Sequence, residues 1–234
     1  MMNSNNIKHI FFDLDNTLWD FSANSKAIVE KLYFDFDLPG RGIKDFEQFF
    51  INYKQRNDFL WDAYRYGRKN REEVRFERFY VTLYDYGIDN RSIAMQMADY
   101  YIQHTRHLKE LLPGAIETLQ YLNEKYPLHI ITNGFNEVQF FKIKNCGLQD
   151  FFKTITTAES ANALKPDKKI FETALRDANA LAHESMYIGD SPEVDGKGAL
   201  NAGMQFILFN AEPKNENHSD MLAISALINL KEML

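Results

Sequence analysis

Short apolar stretches alternating with helix-patterned segments set the strongest constraint on this chain. Residues 7–12, Ile-Lys-His-Ile-Phe-Phe, form a β-prone run that stops at the polar cluster Asp13-Leu14-Asp15-Asn16-Thr17. Residues 128–132, 186–189 and 205–209 repeat the pattern, and residues 152–156 give a weaker version of it. Near-continuous apolar runs of this length suit strands covered on both faces. Between them lie segments with helical spacing of apolar residues: 115–125 behind Pro113-Gly114, 136–146 before Gly147, 168–178, 192–202 before Gly203, and 219–234. A glycine just past the last helical residue is a common stop signal. The alternation predicts an α/β fold, a doubly wound parallel sheet with helices on both faces.

Residues 21–108 break the alternation. They hold 19 of the 33 aromatic residues, show no strand pattern, and read as helices at 25–36, 46–66, 72–86 and 92–107. The expected organisation is an α/β core from residues 1–20 and 109–234, with residues 21–108 inserted as a helical cap domain. The aromatics of the insert are expected to form its own core.

Composition narrows the class of function. The 234 residues are 45% hydrophobic and 26% charged, which permits a sizeable core and argues against disorder. No apolar run approaches the roughly 20 residues of a membrane-spanning helix, and the amino-terminal residues lack signal-peptide character. The expectation is a cytoplasmic protein with no membrane partner. The net charge of −6 disfavours non-specific nucleic-acid binding. The basic stretch Arg65-Tyr66-Gly67-Arg68-Lys69-Asn70-Arg71 is followed by Glu72, Glu73 and Glu77, which reads as a solvated turn and helix face. One cysteine, Cys146, excludes an internal disulfide and is expected to be a buried inert thiol. The six histidines show no metal-ligand spacing. Oligomeric state leaves no trace in the sequence.

In an open parallel sheet, ligands bind outside the carboxyl ends of the strands. The polar clusters fall there: Asp13 and Asp15 after the first strand, Thr132-Asn133-Gly134 after the second, and Gly189-Asp190-Ser191 with Asp195 after the fourth. Lys165-Pro166 precedes a helix between them. Converging carboxylates need a cation, and an all-oxygen ligand set suits Mg2+ beside a phosphate. Thr132, Lys165 and backbone N–H groups near Asn133 would hold phosphate oxygens. A carboxylate nucleophile is one way to split phosphoryl transfer into two steps.

These motifs, in this order, resemble the four motifs of the haloacid dehalogenase superfamily, and the insert resembles its first class of helical cap. The stretch Ile131-Thr132-Asn133-Gly134-Phe135-Asn136-Glu137-Val138-Gln139, with Leu60-Trp61, Gly67 and Arg78-Phe79, is similar to a branch of pyrimidine nucleoside monophosphatases. The resemblance implies that Asp13 is the nucleophile and Asp15 the acid and base. It implies Mg2+ on Asp13, the Asp15 carbonyl and Asp190, phosphoryl binding by Thr132, Asn133 and Lys165, and a supporting Asp195. Trp19 at the entrance and Trp61 and Arg78 in the cap are candidate contacts to the substrate, a small phosphorylated metabolite such as a nucleotide. Asp15 favours phosphate over halide chemistry, because a leaving halide needs no proton. Gly196 stands where many relatives carry an apolar residue. Phosphoglycolate or sugar-phosphate hydrolysis, phosphomutase activity and a non-catalytic phospho-acceptor switch are the competing functions.

Overall fold

The structure is a computed structural model that describes residues 6–105, 107–209 and 221–234. The chain divides into two compact units, Met1–Phe21 with Lys109–Leu234, and Ser22–Leu108.

The first unit is built on a six-stranded parallel sheet: β1 (His9–Phe12), β2 (Leu128–Thr132), β3 (Phe152–Thr157), β4 (Ser185–Gly189), β5 (Gln205–Phe209) and β6 (Ala223–Ile224). The order is β3-β2-β1-β4-β5-β6. β1 therefore lies between β2, where Phe12 pairs Ile130, and β4, where Phe12 pairs Ile188. The winding reverses between β1 and β4, and this switch point opens a crevice at their carboxyl ends. The crossover helices are α5 (Ala115–Asn123), α6 (Asn136–Asn145), the short α7 (Ala158–Ala161), α8 (Lys168–Asp177) and α9 (Lys197–Asn201). One face of the sheet buries Phe11, Ile131, Tyr187, Phe206 and Leu208 against Ile170, Phe171 and Ala174 of α8 and Ala199 of α9. Gly198 is what lets α9 approach, since a Cβ there would stand 2.3 Å from the Phe171 ring and 3.2 Å from the Pro166 backbone.

Two expected helices differ. Residues 192–202 begin with a π-helical turn, Pro192–Gly196, before α9. The Asp195 and Gly196 N–H groups both bond to the Ser191 carbonyl, at 2.8 and 3.1 Å. Within that turn Gly196 leaves room for the Phe206 ring, which lies 2.9 Å from where its Cβ would be. The expected helix over 219–234 begins outside the described residues. Within them, Ala223–Ile224 joins β5 as an edge strand, a 3-10 turn covers Leu227–Asn229, and only Leu230–Met233 is α-helical, as α10. The buried residues Ile224, Leu227 and Leu230 recur every third position, a spacing that imitates a helix face without requiring one.

Near the amino ends of the strands two histidines meet. His9 Nδ1 lies 3.2 Å from His129 Nε2, and His129 Nδ1 lies 2.8 Å from the Thr154 hydroxyl. His129 stacks on Phe11 with centroids 4.5 Å apart and is 1% exposed. Burial, reinforced by the His9 and Lys153 charges, lowers its pKa to about 4.

The second unit contains most of α1 (Phe21–Asp35), with α2 (Phe46–Arg65), α3 (Arg71–Asp85) and α4 (Arg91–Thr105). Asp45 caps α2 through the Gln48 N–H, and Asn70 and Glu73 form a reciprocal capping box on α3. The aromatic core centres on Tyr53, stacked on Phe79 at 5.3 Å, with Phe50 and Tyr101 beside them. The basic stretch before α3 meets local acids: Arg65 pairs with Asp62, and Lys69 pairs with Glu77 at 2.7 Å and Glu73 at 3.4 Å. Among the described residues, no helix is long and apolar enough to cross a membrane.

Candidate active site

β1 leaves the sheet in a tight turn. The Asp13 N–H still bonds to the Ile188 carbonyl at 2.9 Å, so the first carboxylate is carried by the strand ladder. The N–H groups of Thr17, Leu18 and Trp19 then converge on the Leu14 carbonyl at 3.4, 2.9 and 2.8 Å. Asn16 closes the turn with φ +61°, a left-handed conformation that asparagine tolerates better than most residues. Asp13 and Asp15 thus come from one fixed turn but meet different partners.

Asp13 faces Lys165. The Lys165 ammonium lies 2.5 Å from Asp13 Oδ1, 2.7 Å from Asp195 Oδ1, 2.9 Å from the Tyr187 hydroxyl and 3.2 Å from the Ile131 carbonyl. Its side chain is 4% exposed. Burial opposes its charge, yet the Asp13 and Asp195 carboxylates outweigh burial and push the ammonium above its ordinary value. The segment is fixed from outside: Asn133 donates to the Lys165 carbonyl at 3.0 Å and accepts from its N–H at 2.8 Å. The Asn133 side chain is therefore committed to the lysine backbone.

Asp195 is turned inward by the π-helical turn and is 1% exposed. Its second oxygen accepts from the Ser191 N–H at 3.1 Å. Gly189 makes this possible, because a Cβ there would stand 2.6 Å from the Asp195 carboxyl carbon. Tyr187 completes the cluster with its hydroxyl 3.1 Å from both Asp195 Oδ1 and the Ile131 carbonyl. Burial, and then the Asp195 charge, pushes the Tyr187 phenol up and keeps it a donor.

Carboxylate oxygens of Asp13, Asp190 and Asp195 lie within 4.8 Å of one another. Burial drives the Asp13 carboxyl up to about 7 against the pull of Lys165. Burial and the Asp195 and Asp13 charges push Asp190 well up. Three carboxylates facing one ammonium carry excess negative charge, and an all-oxygen set of this kind fits a hard divalent cation.

Asp15 has its own clamp. Lys142 Nζ lies 2.5 Å from Asp15 Oδ1, and Gln139 Nε2 donates to Asp15 Oδ2 at 2.8 Å. The same Gln139 nitrogen donates to the Thr132 hydroxyl at 2.7 Å, and the Gly134 N–H bonds to that hydroxyl at 3.1 Å. Gln139 is fully buried and its Oε1 has no partner among the described residues. Gly134 accommodates it, since a Cβ there would overlap the Gln139 amide at 2.3 Å. Trp19 is also fully buried, with Lys142 Nζ 3.8 Å from its ring centroid. Trp19 therefore supports the ammonium instead of lining an entrance. Cys146 is half-buried, not buried, with its thiol 3.7 Å from the Lys109 carbonyl.

Tyr187, Gln139 and Lys142 join these clusters although no motif in the sequence gives them a role. Tyr187 reads as core in an apolar strand. The other two left a signal in α6. Its buried residues are Val138, Gln139, Lys142 and Ile143, whereas Phe140 and Phe141 are 48% and 40% exposed. Polar residues thus occupy the helical stripe that normally holds apolar ones.

The other two candidates belong to the helical unit. Trp61 is half-buried on α2, edge-on to Tyr64 at 5.7 Å. Arg78 on α3 is 4% exposed, with its guanidinium carbon 4.2 Å from the Tyr101 ring centroid. Its Nε and Nη2 have no hydrogen-bond partner among the described residues.

Residues 10–209 match the haloacid dehalogenase-like hydrolases, and the chain belongs to this family. It is 30% identical to the HAD-hydrolase YfnB of Bacillus subtilis over 88% of this chain and 85% of that protein. The crystal structure of YfnB bound to magnesium superposes with a TM-score of 0.87 at 28% identity, covering 97% of this chain and 98% of the other. The pyrimidine 5′-nucleotidase YjjG of Escherichia coli is 28% identical over 96% of both chains. The glyceraldehyde 3-phosphate phosphatase of Methanothermobacter thermautotrophicus is 28% identical over 97% of this chain and all of its own.

Proposed function

We propose that the protein is a Mg2+-dependent phosphomonoester hydrolase acting through an aspartyl phosphate on Asp13, with pyrimidine nucleoside 5′-monophosphates as substrates. The observation that carries this reading is the division of labour between two carboxylates on one turn. Asp13 is buried against Lys165, while Asp15 is more open and separately held by Gln139 and Lys142. An Asp13 oxygen forms a bond to phosphorus as the bond to the leaving oxygen breaks, and Asp15 supplies the proton that the leaving oxygen takes. Asp15 then removes a proton from water, which attacks phosphorus and releases phosphate and the Asp13 carboxylate. Lys165, Thr132 and the backbone N–H groups at Asn133 and Gly134 bind the phosphoryl oxygens, where charge is spread. Asp195 and Tyr187 orient Lys165. The Asp13 and Asp190 carboxylates and the Asp15 carbonyl would hold Mg2+, which when bound neutralises phosphoryl charge.

The nucleotide assignment is supported by the similarity to YjjG, a pyrimidine 5′-nucleotidase, along nearly the whole chain. Within the helical unit we assign base recognition to Trp61 and Arg78. Two buried guanidinium nitrogens without partners suit the ring carbonyls of a pyrimidine. The relative named as a glyceraldehyde 3-phosphate phosphatase favours a second reading, hydrolysis of a small sugar phosphate.

The test is phosphate release with Mg2+ from deoxyuridine and thymidine monophosphates, sugar phosphates and phosphoglycolate. A preference for the nucleotides is expected. A preference for a sugar phosphate would overturn the substrate assignment and leave the chemistry standing. Asp13→Asn is expected to abolish release from every ester with the circular dichroism unchanged, and near-normal turnover would sink the covalent mechanism.

A further inference from the structure

We propose that Gln139 and Lys142 are positioning residues that fix Asp15 and Thr132 as one unit, and that this unit makes protonation of poor leaving groups efficient. The proposal rests on the hydrolase reading above and adds a role for two residues of α6.

The hydrogen-bond inventory of Thr132 comes first. A hydroxyl has two acceptor sites and one proton to donate. Gly134 N–H and Gln139 Nε2 both point at Thr132 Oγ1, at 3.1 and 2.7 Å, and fill its acceptor sites. Its proton is then directed away from both, toward an acceptor such as a phosphoryl oxygen. The Gln139 amide has two hydrogens, and the second goes to Asp15 Oδ2 at 2.8 Å. One side chain therefore sets the polarity of the phosphate-binding hydroxyl and the orientation of the acid and base.

Lys142 holds the other Asp15 oxygen at 2.5 Å. With Lys142 and Gln139 each using one of about four acceptor sites, the Asp15 carboxyl still has room to carry the proton that it gives to the leaving oxygen and later takes from water. Lys142 is 4% exposed on its side chain, with the Trp19 ring as its floor. Keeping an ammonium in that position costs desolvation, and an apolar residue of similar volume would suit the stripe between Val138 and Ile143. The arrangement fits a carboxylate whose rotation must be stopped at both oxygens, because effective proton transfer depends on orientation.

The discriminating readout is the dependence on leaving group. 2,4-Dinitrophenyl phosphate expels an oxygen that needs no proton, whereas a nucleoside 5′-monophosphate or another alkyl phosphate does. Lys142→Met keeps the stem and removes the charge. It should lower kcat on the alkyl ester by about 100-fold, the scale of general acid catalysis, and on the dinitrophenyl ester by less than about 5-fold. Lys142→Arg should restore part of the alkyl-ester rate. Gln139→Glu is nearly isosteric and turns the donor into an acceptor. It should lower kcat on the alkyl ester and also raise KM on both esters, because the Thr132 proton is drawn back toward Glu. Melting temperatures and circular dichroism accompany each variant. Equal losses on the two esters, or no loss on either, would overturn the proposal, since a structural role affects both substrates alike. A wild-type protein that hydrolyses neither ester would overturn the hydrolase reading and this proposal with it, an outcome separate from an active wild type with uniform variant losses.

Discussion

The buried His129 makes a quantitative prediction about acid stability. In the folded protein its pKa is about 4, held down first by burial and then by His9 and Lys153. In the unfolded chain it returns to about 6.5. As pH falls below about 7 the unfolded chain takes up a proton that the folded protein refuses, so stability falls until both forms are protonated near pH 4. The gap of about 2.5 pKa units corresponds to about 3 kcal/mol in full, of which about 2 kcal/mol is lost between pH 7.5 and pH 5. His129→Gln keeps a hydrogen-bonding group beside Thr154 and does not titrate. Urea unfolding of both proteins at a series of pH values in metal-free buffer gives the two stability curves. The wild type should lose about 2 kcal/mol more than the variant from pH 7.5 to 5, whatever their stabilities at pH 7.5. Parallel curves would mean that His129 takes up its proton in the folded state at near-normal pH.

Two further perturbations follow from the contacts above. Lys165→Met leaves the Asp13 and Asp195 carboxylates buried together without their shared ammonium, and should cost about 3–5 kcal/mol in metal-free urea unfolding at pH 7.5, with loss of phosphatase activity. Asn70→Ala removes one half of the α3 capping box and should cost about 1 kcal/mol by the same assay, with kcat on the alkyl ester unchanged.

Much of this architecture was legible because its causes are local. The runs at 7–12, 128–132, 186–189 and 205–209 lie in central strands, where burial on both faces leaves a plain apolar signature. The edge strand Ala223–Ile224 has only two residues and no such signature. The π-helical turn at Pro192–Gly196 escaped because a wide turn changes hydrogen bonding without changing apolar spacing. At the site, Asp13, Lys165, Asp190 and Asp195 were marked by motif and strand-end position. Tyr187 was hidden because its ring belongs to the core and only its hydroxyl reaches the cluster. Lys142 was hidden because a helical lysine usually faces water, and α6 inverts that rule. The bond of the Asn133 side chain to the Lys165 backbone was hidden because it joins residues far apart in sequence.

The central position of β1 has a consequence during synthesis. β1 leaves the ribosome ahead of the other five strands of its sheet, and its neighbours β2 and β4 begin only at Leu128 and Ser185. At about 5–20 residues per second, the nascent chain carries β1 with both edges unpaired for on the order of ten seconds before β2 appears. The helices of residues 22–108 emerge in that interval and can fold through local contacts. The strand that leads into Asp13 is thus an exposed apolar template for the longest time, and aggregation of nascent or truncated chains should centre on residues 7–12.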